Sequence, residues 1–491
     1  MTKSKNTKRA LLASVLSLIL CVTMLIGSTF AWFTDSVTSG NNKIVAGNLD
    51  IELNYQNASM TSFAEVKAST EDLFVTPEGA EILWEPGCRY LTEGFRIANK
   101  GNLALKWKAQ VNTGTTAANE GNFDLLDVID FYLVTKAADG TETETALDEF
   151  TGNLKKTETS DVYYIKGVMQ TTAGNDYQGL TLDGISITVV ATQDTVESDS
   201  FDNQYDKDAE YPILVTTGDE LQAIVSNATA PVNIVLTNSI TTNNFVIPED
   251  KDVTLDLNGR TVTNAGSHTI LNKGHLTLTD SSADKSGQII SLKGNTAALR
   301  NGDNAVCVVE GGTISRDGAN GNTWHVVENF GKMTFNGGKV VLKNGNGFAI
   351  TNGWNYFDPG ASTTHAVMEI NALELDTDSS GIKNCRYGDL TVNDVTVTST
   401  GYWALSNDYL GTAVINGGTL TSNSFKAVSN GAAMTVNGGT FDGTQGFFVQ
   451  SYATSTVLNG GTFANMNVDA LSSYVGTGHT AQQSGTSVII K

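Results

Sequence analysis

The amino-acid sequence predicts an all-β protein in which a β-sandwich is followed by a parallel β-helix. Three observations lead to this prediction. Glycine is abundant, with 49 residues, whereas proline is scarce, with 6, which suits turn-rich β structure. Residues 44–193 alternate short β-branched or aromatic segments with polar connectors. From residue 308 onward, Asn-Gly-Gly and related tripeptides recur every 21 to 34 residues, a spacing typical of a solenoid.

The composition excludes several functional classes. Asp and Glu number 52 and Lys and Arg number 30, which gives a net charge of -22. Such an acidic chain repels phosphate backbones, so we predict no nucleic-acid partner. Four cysteines in 491 residues are too few for a disulfide framework. Neither a CxxC nor an HExxH motif occurs, so we predict no metal site and no cofactor.

The N-terminus has the pattern of a secretory signal peptide. Four basic residues precede an apolar run over residues 10–26, and the small residues Gly27, Ser28 and Ala31 follow. This order predicts a signal peptide over residues 1–31, with cleavage between Ala31 and Trp32. The alternative is a transmembrane anchor, because the apolar run approaches the length of a membrane span. The first interpretation predicts a secreted protein that a signal peptidase recognises during export.

Six segments have the composition of strands: residues 44–55, 95–101, 103–112, 128–136, 161–167 and 185–193. They are rich in β-branched and aromatic residues, and polar or glycine-rich connectors separate them, as in all-β sandwiches. Trp84, Phe95 and Trp107 lie in or near these segments. Because large aromatic side chains mainly contribute buried area, we expect all three in the sandwich core.

Three stretches resemble the camelysin/TasA family: FAWFTDSVTSGNNKIVAGNLDIEL (30–53), WEPGCRYLTEGFRIANKGNLALKWKAQV (84–111) and GNDYQGLTLDGISITVVATQDTVESDSFDNQYD (174–206). The resemblance covers residues 1–206. It implies a jelly-roll-like sandwich over residues 32–193, export from a Gram-positive bacterium through a dedicated signal peptidase, and a role in biofilm-matrix fibres or surface display. Some members of the family are described as metallopeptidases. However, no histidine lies between residues 1 and 267, which excludes a histidine-ligated metal there.

An acidic segment, residues 194–215, separates the sandwich from the repeats. Its carboxylates offer oxygen ligands for calcium, but they lack the spacing of an EF-hand. They are Asp199, Asp202, Asp206, Asp208 and Glu210. We therefore predict a solvated acidic linker.

The predicted β-helix domain, residues 216–491, begins with a capping helix. Thr217 and Glu220 form a capping-box pattern, and Leu221, Ile224 and Val225 follow at helical spacing. Because an array of strands exposes an unpaired edge at each end, we expect this amphipathic helix to cover the first coil.

Tripeptides related to Asn-Gly-Gly mark successive coils, and we place the second glycine, or its substitute, at positions 312, 338, 372, 394, 418, 439 and 461. The glycines supply the positive φ that a sharp corner needs. Two of these positions hold Ala372 and Asp394 instead of glycine. The longest spacing between repeats includes residues 355–365, which we predict to be a loop inserted in one coil. The number of repeats predicts about eight coils. The pattern resembles the right-handed β-helices of bacterial adhesins and polysaccharide-active enzymes, and the crossover rule gives the same hand.

A second repeated pattern is an asparagine two residues after an aliphatic residue in each coil. The asparagines predict an internal hydrogen-bonded ladder: Asn272, Asn301, Asn329, Asn352, Asn384, Asn407 and Asn430, with Ser451 at the same position of the last coil. The aliphatic residues predict a buried column: Ile270, Leu299, Val327, Ile350, Ile382, Leu405, Val428 and Val449. The residue between them varies, which predicts a solvent-facing column: Leu271, Arg300, Glu328, Thr351, Lys383, Ser406, Ser429 and Gln450.

The repeats contain no Asn-Thr-Asp, Asp-Asp or Gly-His-Gly cluster of the kind that polygalacturonases carry. The residues closest to an acidic cluster are Asp376, Asp378, Asp389 and Asp394. Aromatic residues gather around the coil corners instead, and sugar rings stack on aromatic faces. The candidate glycan-stacking residues are Trp324, Trp354, Tyr387, Trp403 and Tyr409. The alternative is that these rings stack internally or clamp loops.

The sequence therefore predicts a secreted, non-enzymatic cell-surface or biofilm-matrix protein with an adhesin-like β-helix, and it assigns no catalytic residue. The predicted partners are glycans or other matrix proteins. The alternative is a β-helix polysaccharide lyase or glycoside hydrolase displayed by a TasA-like domain. Residues 32–42 are also a candidate donor strand after cleavage, which predicts head-to-tail self-assembly. The alternative is that residues 32–40 pair within the same molecule, as an edge strand of their own sandwich.

Overall fold

The computed structural model of the chain describes residues 49–56, 62–65, 83–116, 123–147, 150–183, 185–194, 210–319, 324–354 and 364–491. Four predicted features lie wholly or mostly outside these residues: the signal peptide with the Ala31–Trp32 bond, the donor strand, the acidic linker and the loop inserted at 355–365. They stay predictions. In the described ranges, no helix has the length and apolar composition that a membrane span requires.

The N-terminal part of the described chain consists of antiparallel sheets. Its strands are β1 (Ile51–Tyr55), β2 (Ala64–Glu65), β3 (Arg89–Leu91), β4 (Phe95–Asn99), β5 (Leu105–Asn112), β6 (Thr115–Thr116), β7 (Ile129–Lys136), β8 (Glu142–Ala146), β9 (Phe150–Leu154), β10 (Tyr163–Met169), β11 (Leu182–Asp183) and β12 (Ser186–Gln193). The largest sheet has the order β2-β1-β4-β10-β7-β8, with β3 paired to β10. A second sheet has the order β12-β5-β9, and β11 pairs with β6. Each of the six predicted segments contains a strand.

The two larger antiparallel sheets share a hydrophobic core. Ile97 of the first sheet packs with Leu105, Trp107 and Leu154 of the second. Trp107 and Phe95 are each 1% exposed, which confirms their predicted place in the core. Trp84 is different, because it is only half-buried and packs edge-on against Tyr90 with ring centroids 5.0 Å apart.

Both ends of the predicted acidic linker are packed against the folded parts. Asp194 is 6% exposed and accepts a hydrogen bond from the Asn153 side chain at 2.5 Å. At the other end, Leu214 forms a small apolar cluster with Val190 of the sandwich and Val235 of the solenoid. The strand that contains Leu214 already belongs to the solenoid, so the β-helix begins before the predicted boundary at residue 216.

The C-terminal part is a parallel β-solenoid with three sheets. The first sheet contains β13 (Ile213–Val215), β14 (Val232–Leu236), β17 (Asp252–Asp256), β20 (His275–Thr279), β23 (Val306–Val309), β26 (Lys332–Phe335), β29 (Ala366–Ile370), β32 (Gly388–Val392), β35 (Thr412–Ile415), β38 (Ala433–Val436) and β41 (Ser455–Leu458). The second contains β15 (Ile240–Thr241), β18 (Thr261–Asn264), β21 (Gln288–Ser291), β24 (Thr313–Asp317), β27 (Lys339–Lys343), β30 (Glu374–Thr377), β33 (Thr396–Ser399), β36 (Thr419–Ser422), β39 (Thr440–Asp442) and β42 (Gly461–Phe463). The third contains β16 (Val246–Ile247), β19 (Ile270–Asn272), β22 (Leu299–Asn301), β25 (Val327–Asn329), β28 (Phe348–Asn352), β31 (Ser380–Asn384), β34 (Leu405–Asn407), β37 (Lys426–Asn430) and β40 (Gln445–Val449).

The predicted all-β class and the predicted solenoid are confirmed, but the solenoid is longer than about eight coils. The first sheet has eleven strands and the third has nine. The extra coils lie at the N-terminal end, where the corners lack the Asn-Gly-Gly motif. At the marked corners the last glycine does have positive φ, with values of 85° at Gly312, 96° at Gly418 and 114° at Gly461. The parallel register places Leu373 and Val395, rather than Ala372 and Asp394, at the position of the last glycine, and none of the four has positive φ, so these two corners turn without left-handed backbone.

The aliphatic and asparagine columns lie side by side inside the solenoid. Ile270, Leu299, Val327, Ile350, Ile382, Leu405 and Val428 are all 0% exposed and stand in parallel register. From Asn272 to Asn430, each asparagine Nδ2 donates to the Oδ1 of the next, at 2.7 to 2.9 Å. The ladder therefore satisfies amides that water does not reach.

The predicted last rung, Ser451, is wrong. Asn430 pairs with Val449, and Val428 pairs with Phe447, so the coil is shifted by two residues from the prediction. Because side chains alternate with a period of two, a shift of two keeps the same residues facing inward, and the pattern does not distinguish the two registers. The observed register buries Phe447 against Phe463, with ring centroids 5.6 Å apart. Asn430 ends the ladder by donating to Thr456 Oγ1 at 2.8 Å.

A second asparagine ladder lies on the outside, at the corner between the first and second sheets. Its members are the asparagines of the repeated tripeptides themselves, and it starts at a glutamate: Glu310, Asn336, Asn371, Asn393, Asn416, Asn437 and Asn459. Their side chains hydrogen-bond from coil to coil at 2.7 to 2.9 Å. The motif thus has two functions: the glycines shape the corner, and the asparagine ties each corner to the next.

Both ends of the solenoid are capped. At the first coil, Thr217 caps the helix Gly218–Asn227 by accepting from the Glu220 N–H at 3.2 Å. Leu221 and Val225 of this helix are 0% exposed and belong to the solenoid core, as predicted. At the last coil, β43 (Ala481–Ser484) and β44 (Ser487–Ile490) add antiparallel to β42, beside the short helix Val468–Leu471 and the turn Ser472–Tyr474.

Candidate functional site

The outer face of the third sheet carries one side chain per coil between the two inward columns. The pairing of the strands places them in one line, which we call the floor column: Leu271, Arg300, Glu328, Thr351, Lys383, Ser406, Ser429 and Phe448. The prediction that this column is solvent-facing is wrong for three members. Glu328 is 4%, Thr351 6% and Ser429 1% exposed. Trp324 hydrogen-bonds to Glu328, and Gln450 hydrogen-bonds to Ser429.

Aromatic side chains line the corner that leads into the third sheet. We call this group the leading cluster: Trp324, Phe348, Tyr402, Trp403 and Phe425. The ring centroids of Phe348 and Trp403 lie 6.5 Å apart with planes 7° from parallel. Phe425 packs edge-on against Trp403 at 5.1 Å and against Tyr402 at 5.5 Å. The cluster brings together side chains from several coils.

A second aromatic group, the trailing cluster, lines the corner that leaves the third sheet: Phe330, Trp354 and Tyr387. The rings of Phe330 and Trp354 are 4.5 Å apart. Tyr387 faces His365 at 5.6 Å, and the backbone of Trp354 donates to the Arg386 carbonyl at 2.9 Å. The floor column therefore runs between two aromatic walls.

Glu328 connects the two walls across the floor. Its carboxylate accepts a hydrogen bond from Trp324 Nε1 at 2.9 Å and pairs with Arg300 at 3.0 Å. The Arg300 guanidinium lies 4.5 Å from the centre of the Phe330 ring. This buried carboxylate is thus fully engaged and fixes the orientation of one residue on each wall.

Cations of the face lie against its aromatic rings. Lys383 pairs with Asp408 at 3.3 Å and approaches the Phe348 ring at 5.3 Å. Lys426 lies 3.2 Å from the Phe448 ring centre. Every cation–π pair in the described part of the solenoid is on this face, which makes it chemically distinct from the other two sheets.

Buried basic groups support the leading corner from inside. Arg316 is 1% exposed, and its guanidinium donates to Ser291 Oγ at 2.6 Å and to the Lys293 carbonyl at 2.9 Å. Burial lowers the pKa of Arg316 to about 10, although the nearby Glu328 carboxylate opposes this shift. Burial also lowers the pKa of His325, whose Nδ1 accepts the Phe348 N–H at 3.2 Å. His325 is therefore a neutral structural group at neutral pH.

The predicted stacking residues divide between the two walls. Trp324 and Trp403 belong to the leading cluster, and Trp354 and Tyr387 belong to the trailing cluster. Tyr409 lies at the trailing corner and is 46% exposed. Several of these rings pack on one another, as the alternative of internal stacking predicts, and the stacking of a glycan on them stays a prediction.

The four aspartates of the predicted acidic group do not meet. Asp376 pairs with Lys343 at 2.8 Å on the second sheet, and Asp378 accepts backbone N–H bonds from the 344–345 corner. Asp389 lies on the first sheet, 2.9 Å from His365, and Asp394 lies at the corner between the first and second sheets. In the residues that the structure describes, no group of three His, Cys, Asp or Glu side chains is arranged to hold a metal.

The sequence analysis did not predict that five further residues belong to this face as contact-making groups: Arg300, Glu328, Lys383, Phe348 and Phe425. A signal for the first two was present, since opposite charges occupy the same position in adjacent coils. The two phenylalanines carried no such signal, because their place in the leading cluster depends on how far each corner extends before the next strand.

Comparison with known proteins gives limited similarity. Residues 6–70 match the camelysin metallo-endopeptidase family, so the N-terminal segment is camelysin-like and is followed by a β-helix. A search of curated proteins found no significant match. Among solved structures, the catalytic domain of a GH87 alpha-1,3-glucanase in complex with tetrasaccharides is similar over 83% of this chain and 99% of that one, at 11% identity. The TM-score is 0.19, which is too low to support a structural argument.

Proposed function

We propose that this chain is an exported cell-surface or biofilm-matrix protein whose β-helix binds a glycan on the outer face of the third sheet without cleaving it. The observation that carries the proposal is a polar floor column between two aromatic clusters. The camelysin-like segment at residues 6–70 supports the exported, matrix-associated part of the proposal. Donation of residues 32–42 to a neighbouring sandwich would then link copies of the protein into fibres.

The face has the chemistry that sugar recognition uses. The apolar faces of sugar rings pack on aromatic side chains, while their hydroxyls hydrogen-bond to polar groups. Arg300, Lys383 and Ser406 are the half-buried polar members of the floor column, and they lie within four coil spacings in parallel register. At ~4.8 Å per coil these residues extend over about 19 Å, so the face suits a polymer better than a single sugar.

The carboxylates of the face favour binding over hydrolysis. Glycosidases place two carboxyl groups about 5 to 10 Å apart across the scissile bond. Here Glu328 is engaged by Arg300 and Trp324, and Asp408 by Lys383. Glu328 and the coil of Asp408 are three coil spacings apart, about 14 Å. A lyase or hydrolase activity is the alternative that the experiment must separate from binding.

The test uses a glycan array with the mature protein, followed by titration of the glycans that bind. Trp403→Ala and the more exposed Tyr402→Ala should each weaken binding at least fivefold. Val367→Ala removes exposed apolar surface from the first sheet and should leave binding unchanged. Thermal melting checks that each variant is folded. Incubation of bound glycans with the protein should release no reducing or unsaturated ends, and turnover that Glu328→Gln abolishes would establish the enzymatic alternative.

A further inference from the structure

Among the described residues, the face contains buried hydrogen-bond donors that have no partner. Trp354 Nε1, Arg386 Nε and Trp403 Nε1 are buried atoms without a hydrogen-bond partner. In the described part of the solenoid, the remaining side-chain atom of this kind is Arg260 Nε. Folded proteins rarely leave a buried donor unpaired, because the hydrogen bond lost with water is not replaced. Three such donors on one face are an unusual concentration.

Two of these donors belong to tryptophans that lie beside a basic residue of the adjacent coil, once on each wall. On the trailing wall, Trp354 forms an isolated bridge with Arg386, and the Arg386 guanidinium lies 4.8 Å from the Tyr387 ring centre. On the leading wall, Phe425 contacts both partners: its ring lies 5.1 Å from that of Trp403 and 5.7 Å from Lys426 Nζ. Each wall thus holds an indole N–H and a cation beside aromatic rings.

Neither cation has a carboxylate partner within the described residues. Arg300 and Lys383 do have one, Glu328 and Asp408 respectively. Arg386 donates only to the hydroxyl of Tyr387, at 3.2 Å, and Lys426 lies over rings alone. Asp389 is near the trailing wall, but it is bound to His365. The carboxylates Glu328, Asp408 and Asp389 are therefore engaged, whereas Arg386 and Lys426 have no carboxylate partner among the described residues.

Such a surface is complementary to a ligand that accepts hydrogen bonds and carries negative charge. A carboxylate accepts from an indole N–H and from a cation at once, and charge-assisted bonds of this type are stronger than bonds between neutral groups. A neutral sugar hydroxyl also donates, and the free groups here offer it no acceptor. The net charge of the chain is -22, so most of the molecule repels polyanions. A preference for acidic ligands must therefore come from the basic groups of this face.

We infer that the two donor pairs, Trp354 with Arg386 and Trp403 with Lys426, each bind a carboxylate of a uronic-acid polysaccharide. This inference rests on the proposed glycan-binding function of the same face and names its ligand class. The aromatic rings of each wall pack on the sugar, and the donor pair selects the acidic group.

The experiment compares polyuronates with their neutral counterparts at physiological salt. The probes are polygalacturonate, alginate, polyglucuronate and hyaluronan, each beside its carboxyl-reduced or methyl-esterified form. At least one free acid should bind the mature protein tenfold more tightly than its neutral form. The variants Arg386→Met and Lys426→Met should each reduce that preference at least threefold, and the double variant should abolish it. Lys332→Met, on the first sheet, is the matched control and should keep it.

The outcomes separate the two proposals. Equal binding of every acid and its neutral form would overturn the acidic-ligand inference while leaving glycan binding intact. A preference for dextran sulfate over all the polyuronates would overturn the assignment of a carboxylate. A preserved preference in the folded double variant would show that the donor pairs are not the site. Binding of no glycan, acidic or neutral, on the array would overturn the proposed function itself.

Discussion

At the residue scale, the internal asparagine ladder shows why one residue type recurs in seven coils. Asn407 receives a hydrogen bond from Asn384 at 2.8 Å and donates to Asn430 at 2.9 Å and to the Ala433 carbonyl at 2.8 Å. It is 1% exposed, so no water replaces these bonds. Loss of one rung leaves donors and acceptors unpaired in both neighbouring coils.

We therefore expect Asn407→Ala to lower the free energy of unfolding by roughly 1–3 kcal/mol. Ser406, the next residue toward the N-terminus, is half-buried in the floor column, and Ser406→Ala should change the free energy by no more than about 0.5 kcal/mol. Chemical denaturation of the two variants checks this difference. Equal destabilisation would contradict the assignment of the ladder.

At the element scale, the corner glycines determine where one sheet ends and the next begins. Gly418 has φ of 96°, and a Cβ there would come within 2.6 Å of the Val395 carbonyl oxygen. The same corner position holds Leu373 in another coil, where φ is not positive. The two corner types thus have different tolerance for a side chain.

Gly418→Ala should destabilise the solenoid by about 1–3 kcal/mol, because it adds both backbone strain and a steric clash. The opposite substitution at the neighbouring position of that other corner, Ala372→Gly, should cost no more than about 1 kcal/mol, since φ is not positive there and the change only adds chain entropy to the unfolded state. Urea denaturation of the two variants compares their free energies of unfolding, provided that the slope of this free energy against urea concentration is the same for both. If the two substitutions cost the same, positive φ is not what the second glycine provides.

The sequence was sufficient to predict the elements whose cause is local or periodic. The positive φ of Gly312 and the column from Ile270 to Val428 follow from patterns that recur from coil to coil. The register of the last coil was not predictable, because a shift of two residues leaves the inward and outward faces unchanged. The burial of Glu328 was not predictable either, since Trp324 covers it from a corner whose length varies between coils.

At the scale of the whole molecule, the solenoid is closed at both ends, whereas the proposed donor strand offers a route to assembly. The helix Gly218–Asn227 covers the first coil, and β43 and β44 extend the last one with antiparallel strands. These caps block end-to-end stacking of solenoids. The proposed route to assembly is therefore strand donation by the N-terminal part of the protein.

We expect the mature protein, beginning at Trp32, to form oligomers or fibres by strand donation, and a version beginning at Asn41 to stay monomeric. The reason is that residues 32–40 would supply the main-chain hydrogen bonds to a neighbour's sheet edge. Light scattering and electron microscopy at high protein concentration compare the two forms. Monomers in both cases would contradict strand donation and leave the sandwich as a display stem.

The central claim is that a glycan lies on the outer face of the third sheet. Hydrogen–deuterium exchange of the mature protein, with and without the tightest-binding glycan of the array, tests this claim most directly. A glycan bound there should slow exchange at the corners on either side of that sheet, residues 324–330, 348–354 and 402–405. It should not slow exchange along β20, β23 or β26 of the first sheet. Protection confined to the first or second sheet would contradict the claim.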